Sequence, residues 1–293
     1  MYKERKTTRY KDNSFGLIYK NAIQENKKHK VNIHSISYEL NGIMIAANIY
    51  TPKDYLENGQ YQAIVIAHPN GETKEYTSGL YAQKLAEMGY VTITADALFH
   101  GESGGTPRNQ DIPYFRIEDI RGMVDIISLY SGVDISHIYA LGIGEGGGYT
   151  LSASQSDKRI QKVAVISMIN SGSLRREGIQ NIDSDTVIER LIDVSKIREK
   201  EIQTNESIRS DEKFVQRNLM DLMIYDPIQF MYLIQQPLLM IIKENDDINY
   251  MSEDAYNLAI HTLYKELYEM KNKDYIVDKI VKKLNLFYKG EEK

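Results

Sequence analysis

"LGIGEGGGYTLSASQ", Leu141 to Gln155, decides the fold. An apolar run with strand character meets a tight glycine turn and continues into a helix. A strand–turn–helix of this kind presents either a phosphate cradle or a nucleophile. Gly142, Gly144 and Gly147 satisfy G-x-G-x-x-G, in which free N–H groups at a helix start hold a pyrophosphate. Three features oppose a dinucleotide here. The motif belongs on the first strand–helix turn, yet four or five strand-like runs precede it. The next strand, "VAVISMIN", ends on Asn170 rather than on an acidic residue for a ribose. Glu145 would bring negative charge toward the phosphates. The alternative is the nucleophile elbow, G-x-S-x-G, whose glycines permit a strained turn and a closely packed helix. Gly142-Ile143-Gly144-Glu145-Gly146 fits that spacing and puts Gly144 at the apex, where the reactive side chain should stand.

Outward from this turn, strand and helix alternate. "VNIHSISYEL" and "NGIMIAANIYTP" join at Asn41-Gly42, a hairpin signal because both residues tolerate positive φ. "QAIVIAHP" is apolar throughout, as a strand buried on both faces requires. Ile117, Ile120, Val124, Ile127 and Tyr130 fall at helical spacing. Such alternation predicts an α/β chain with a mostly parallel sheet and helices on both faces. It breaks over residues 171–236, which read as a helical, cap-like insertion. Residues 1–30 hold nine Lys/Arg against three acidic residues and read as a polar basic arm, with residues 31–293 as the α/β domain.

Composition narrows the chemistry. The 293 residues include no cysteine, which excludes disulfides, thiolate metal sites and a cysteine nucleophile. A net charge of -5 leaves no electrostatic footprint for nucleic acid. The longest apolar runs, such as "PLLMII" (residues 237–242), are too short to span a bilayer, and the basic start lacks a secretory signal. These features predict a soluble, cytoplasmic protein. No cofactor is indicated. "ENDDIN" lacks the glycine and distal glutamate of a calcium loop, so no metal is expected.

"AIVIAHPNGETKEYTSGLYAQKLAEMGYVTITADALFHGESGGTPR" (residues 63–108), "YFRIEDIRGMVDII", "VDISHIYALGIGEGGGYTLSAS" and "QPLLMIIKENDDINYMSEDAY" resemble the α/β-hydrolases of the dienelactone hydrolase and fungal polyketide transferase group. The resemblance implies a sheet of about eight strands with the site at the carboxyl ends of its parallel strands. It implies oxyanion-hole N–H groups at Asn70 and Gly71 and at Glu145. It implies a triad acid at Asp247, with Asp246 as rival, and a loop bordering the site at His100 and Gly101.

The triad itself is missing from the pattern. Acyl transfer on this scaffold needs Ser, Asp and His in that chain order. Gly144 supplies no nucleophile, and Ser152 and Ser154 lie too far along the helix. A base must follow Asp247, and only His261 does, ahead of the strand it should succeed. "KELYEMKNKDYIVDKI" reads as a strand passing straight into the last helix, with the histidine loop deleted. Glu145 could form an ester intermediate only by placing an anion where negative charge must develop. Its side chain is expected to point away from the pocket, into solvent or toward an arginine. His100 is the remaining histidine for chemistry. The expectation is a catalytically degenerate hydrolase relative that binds a small acyl- or ester-type ligand or a partner, with homo-oligomerisation open. The alternative is an active ester or lactone hydrolase with a rearranged set, such as Ser103 with His100 or His261.

Overall fold

The run at "QAIVIAHP" forms strand β4 (Tyr61–Ala67), in which Ala63 to Ala67 are all buried. The computed structural model describes residues 2–4, 13–179, 184–205 and 215–291. The sequence-read arm and insertion therefore fall partly outside the described residues. β4 lies between β5 (Val91–Ala95) and β6 (Val133–Ile143) and runs parallel to both. β7 (Ile160–Ile166), β8 (Leu238–Lys243) and β9 (Lys265–Met270) continue the parallel series beyond β6. On the other side, β3 (Ile43–Thr51), β2 (Asn32–Leu40) and the two-residue β1 (Lys3–Glu4) pair antiparallel. The order across the sheet is β1-β2-β3-β5-β4-β6-β7-β8-β9. Leu40 pairs with Ile43, so Asn41 (φ 51°) and Gly42 (φ 77°) make the two-residue turn that the sequence signals.

Period-two alternation sends the side chains of β4 to two cores. Ile64 and Ile66 join α1 (Thr77–Glu87) and α8 (Val277–Lys289) through Leu85, Ile280, Leu284 and Phe287. Val65 joins α2 (Pro113–Ser128) and α3 (Glu145–Ser156) through Ile120, Val124, Tyr149 and Leu151. Each fully buried aliphatic contributes about 1.5–3 kcal/mol, so a central strand buried on both faces anchors the sheet. Leu17 and Ala22 of the N-terminal segment are buried against the α1/α8 face. Between β7 and β8 stand α4 (Ser171–Glu177), α5 (Ser184–Thr204) and α6 (Leu219–Ile224). α7 (Asn249–Leu258) links β8 to β9. No described helix is long and apolar enough to cross a membrane.

Candidate functional site at the glycine elbow

β6 delivers Gly144 to the carboxyl edge of the sheet, and α3 starts at the next residue. Gly144 has φ 57° and ψ -125°, a backbone that L residues adopt only under strain. Its N–H donates to Ile166 O at 3.0 Å, and its carbonyl accepts from Gly147 and Ile169 N–H, each at 3.0 Å. A Cβ on Gly142 would lie 2.5 Å from Gly147 Cα, and one on Gly146 2.6 Å from His68 O. Close approach of helix to strand therefore requires glycine at both positions. A Cβ on Gly144 would meet Pro69 Cβ at 3.4 Å, Pro69 Cγ at 3.6 Å and Ile169 Cδ1 at 4.0 Å, all ordinary contacts. The turn keeps the strain and the space of a nucleophile elbow, without the side chain.

Glu145 departs from the sequence expectation. Its side chain is half-buried and neither faces away nor pairs with an arginine: Oε2 accepts from Asn70 N–H at 3.3 Å. The loop after β4 brings that N–H to the first turn of α3, where a carboxylate is favoured by the helix dipole. Gly71, exposed and at φ 79°, follows in the same loop. Asn70 also donates its amide to Asp111 Oδ2 at 2.5 Å, and Tyr149 donates its hydroxyl to Asp111 Oδ1 at 3.1 Å. The buried Arg116 donates to His68 O at 3.0 Å and lies 5.3 Å from the centre of the Tyr149 ring. Sequence reasoning missed Asp111, Arg116 and Tyr149. Arg116 and Tyr149 are polar groups among apolar helix neighbours, and Asp111 lies in the loop before α2, where nothing local marks it.

The histidines are all engaged elsewhere. His68 Nδ1–H donates to Pro69 O at 2.7 Å, and Nε2 accepts from Ala97 N–H at 3.4 Å, a neutral tautomer that shapes the loop. Burial, with Arg116 second, holds its pKa well below the ordinary value. His100 Nδ1 donates to Leu98 O at 2.9 Å, and burial followed by Arg116 lowers its pKa too. Ser103 donates to Asp96 O at 2.7 Å and accepts from Ala46 N–H at 2.9 Å, so its hydroxyl is committed to backbone. His261 is exposed beyond α7 and contacts Tyr232 O at 2.8 Å. The one histidine–hydroxyl contact among the described residues is His34 with Thr51, at 3.3 Å, on β2 and β3. β5 and β4 separate that pair from β6. No described histidine is hydrogen-bonded to a serine hydroxyl.

Asp247 is exposed after β8, while half-buried Asp246 accepts from Ile248 N–H at 3.3 Å. Neither bonds a histidine. The connection from β9 to α8 is present rather than deleted: residues 271–276 include a 3-10 turn, Asn272–Asp274. The stretch lacks glycine and proline, so nothing in it marks a loop. It carries Asp274, paired with Lys279, and Tyr275, whose hydroxyl lies 2.8 Å from Ser167 Oγ just past β7. Burial raises the Tyr275 pKa, so the phenol keeps its proton at neutral pH and cannot serve Ser167 as a base.

Asp119 accepts Leu98 N–H through both oxygens, and burial pushes its pKa up to about 7 against the pull of Arg116. A folded-state value above the unfolded one means that folding takes up a proton between them. Stability is therefore expected to fall as pH rises from about 4 through 7. Urea titrations across that range should show the slope flattened in Asp119→Asn; an unchanged slope would assign it to other groups. Glu75, Asp96 and Glu102 are the described acidic side chains with metal-like spacing, but Lys74 Nζ already sits among them.

No established family profile matches the chain. It is 48% identical over 139 residues to YcjY of Escherichia coli K12, covering 47% of this chain and 45% of that protein. It is 41% identical over 149 residues to PA2218 of Pseudomonas aeruginosa, covering 51% of this chain and 39% of that one. The matched residues span less than half of either curated relative. The crystal structure of PA2218 superposes with a TM-score of 0.83 at 26% identity, over 94% of this chain and 99% of that one. The α/β hydrolase GrgF from Penicillium sp. superposes with a TM-score of 0.71 at 17% identity, over 88% and 98%. A mostly parallel sheet with this strand order, turned at a glycine elbow and shared with these structures, shows that the chain has the α/β-hydrolase fold.

Proposed function

We propose that this chain is a catalytically degenerate α/β hydrolase that keeps its elbow as a scaffold for binding a small acyl- or ester-type ligand or a partner. One observation carries the proposal: the Asn70 N–H, which the resemblance assigns to an oxyanion hole, donates instead to the Glu145 carboxylate, next to an apex without a side chain. A working site aims unfilled donors at the oxygen on which charge develops, and losing one such donor costs about 2.7–4 kcal/mol. A second anion about 4 Å from Glu145 would be repelled by about 4 kcal/mol at an effective dielectric of 20. Losing the nucleophile removes several further orders of magnitude in rate, because triad members act as a unit. The rearranged set of Ser103 with His100 or His261 gains no support, since none of these groups bonds another.

A screen of p-nitrophenyl esters and acyl thioesters tests this reading. Wild type, Glu145→Ala and Gly144→Ser are all expected to match the uncatalysed rate. Clearing the amide restores no nucleophile, and restoring a hydroxyl supplies no imidazole. Saturable turnover by wild type would overturn the reading.

A further inference from the structure

We infer that β9 pairs antiparallel with β9 of a second copy of this chain, about a two-fold axis at Leu267, fusing the two sheets into one. β9 ends the sheet, and among the described residues it pairs only with β8. Its register with β8 runs without a break from Leu238–Lys265 to Lys243–Met270, so no bulge turns the outer edge away. Lys265, Leu267 and Glu269, whose N–H and C=O groups point away from β8, therefore offer an outer row to another strand. Natural edges are guarded by proline, bulges or outward lysines. "KELYEM" contains no proline or glycine, and its one lysine is folded back. Lys265 Nζ donates to Tyr256 O at 2.8 Å and lies 4.4 Å from the centre of that ring.

The charges select both the partner and the register. Residues directly opposite in an antiparallel pair share a face, so a two-fold axis in this strand must fall on a residue. Centred on Leu267, Lys265 of each copy, exchanging its contact with Tyr256 O for a carboxylate, faces Glu269 of the other, and Leu267 faces itself. Glu269 has no ion-pair partner among the described residues, so this pairing supplies one. On the other face Glu266 meets Tyr268 of the second copy, and Lys283, 2.6 Å from Glu266 and 4.8 Å from the Tyr268 ring centre, offsets the charge. Centring on Glu266 would oppose Glu266 to itself, and centring on Tyr268 would oppose Glu269 to Leu267. Among pairs formed within β9, only the Leu267 centre matches opposite charges. Apolar side chains exposed around the ends of the strand, Leu258, Ile260, Leu263 and Ile276, add area beyond the ladder.

Sedimentation equilibrium of the full chain tests the inference, with circular dichroism as a check on folding. Wild type is expected at the mass of two 33.7-kDa chains. Lys265→Glu and Glu269→Lys each convert two attractive pairs to repulsive ones and should weaken the dimer at least about tenfold in Kd. The double swap, which reverses both charges together, should recover the dimer. Three outcomes would overturn the inference: a monomeric wild type, a dimer indifferent to both single substitutions, or a double swap no more dimeric than the singles.

Discussion

Lys74→Met is expected to lower the free energy of unfolding by about 3–5 kcal/mol, because it strips a fully buried ammonium from among three carboxylates. Lys74 is fully buried, and its Nζ lies 2.9 Å from Asp96 and 2.9 Å from Glu102, with Glu75 alongside. Asp96 also accepts Lys74 N–H at 2.9 Å and Glu102 N–H at 2.7 Å. Gly101, at φ 49°, allows that wrap, since a Cβ there would fall 2.3 Å from Asp96 Oδ2. The cluster ties the loop after β4 to the loop after β5, the two loops that border the elbow. Without the ammonium, the buried carboxylates would bind protons more tightly in the folded state than in the unfolded one. The deficit should then narrow as pH falls. Urea unfolding at about pH 8 and about pH 5 reads both effects. A loss below about 1 kcal/mol, or a deficit that widens on acidification, would contradict this role for Lys74.

Gly146→Ala should cost about 3 kcal/mol, whereas Gly144→Ala should cost about 1–2 kcal/mol. At position 146 a Cβ would strike His68 O at 2.6 Å and Ala67 O at 2.7 Å, both backbone atoms at the end of the central strand. Nothing there can yield without shifting β4 against α3. At position 144 the space is open, and the penalty is the strained φ alone. Thermal unfolding of the two variants side by side measures the contrast. Equal losses would mean that the apex glycine, like its neighbours, answers to packing rather than to a vacated function.

The fold was legible because its signals are local. The Asn41-Gly42 turn, the apolar run of β4 and the glycine spacing from 142 to 146 each follow from one backbone requirement, and each occurs where it was read. The site was legible only where the same held, as at Gly144. Asp111, Arg116 and Tyr149 assemble from α2, α3 and the loop before α2, so nothing short of the packed structure brings them together. Lys74 sits in the polar stretch "GETKEY" yet is buried, and its partners Asp96 and Glu102 lie 22 and 28 residues away. The Glu145 orientation depends on an N–H supplied by the loop after β4, 75 residues away. The turn at 272–274 escaped notice because lysine, asparagine and aspartate form it without glycine or proline.

The proposed function requires that no activated nucleophile stand at or beside the elbow. Intact-mass spectrometry of the chain after incubation with a fluorophosphonate addresses it most directly, because that reagent captures a serine only where a base activates it. The mass is predicted to stay that of the unmodified chain. A stoichiometric adduct on one serine, at Ser103, Ser167 or elsewhere, would show a working catalytic set and contradict the account.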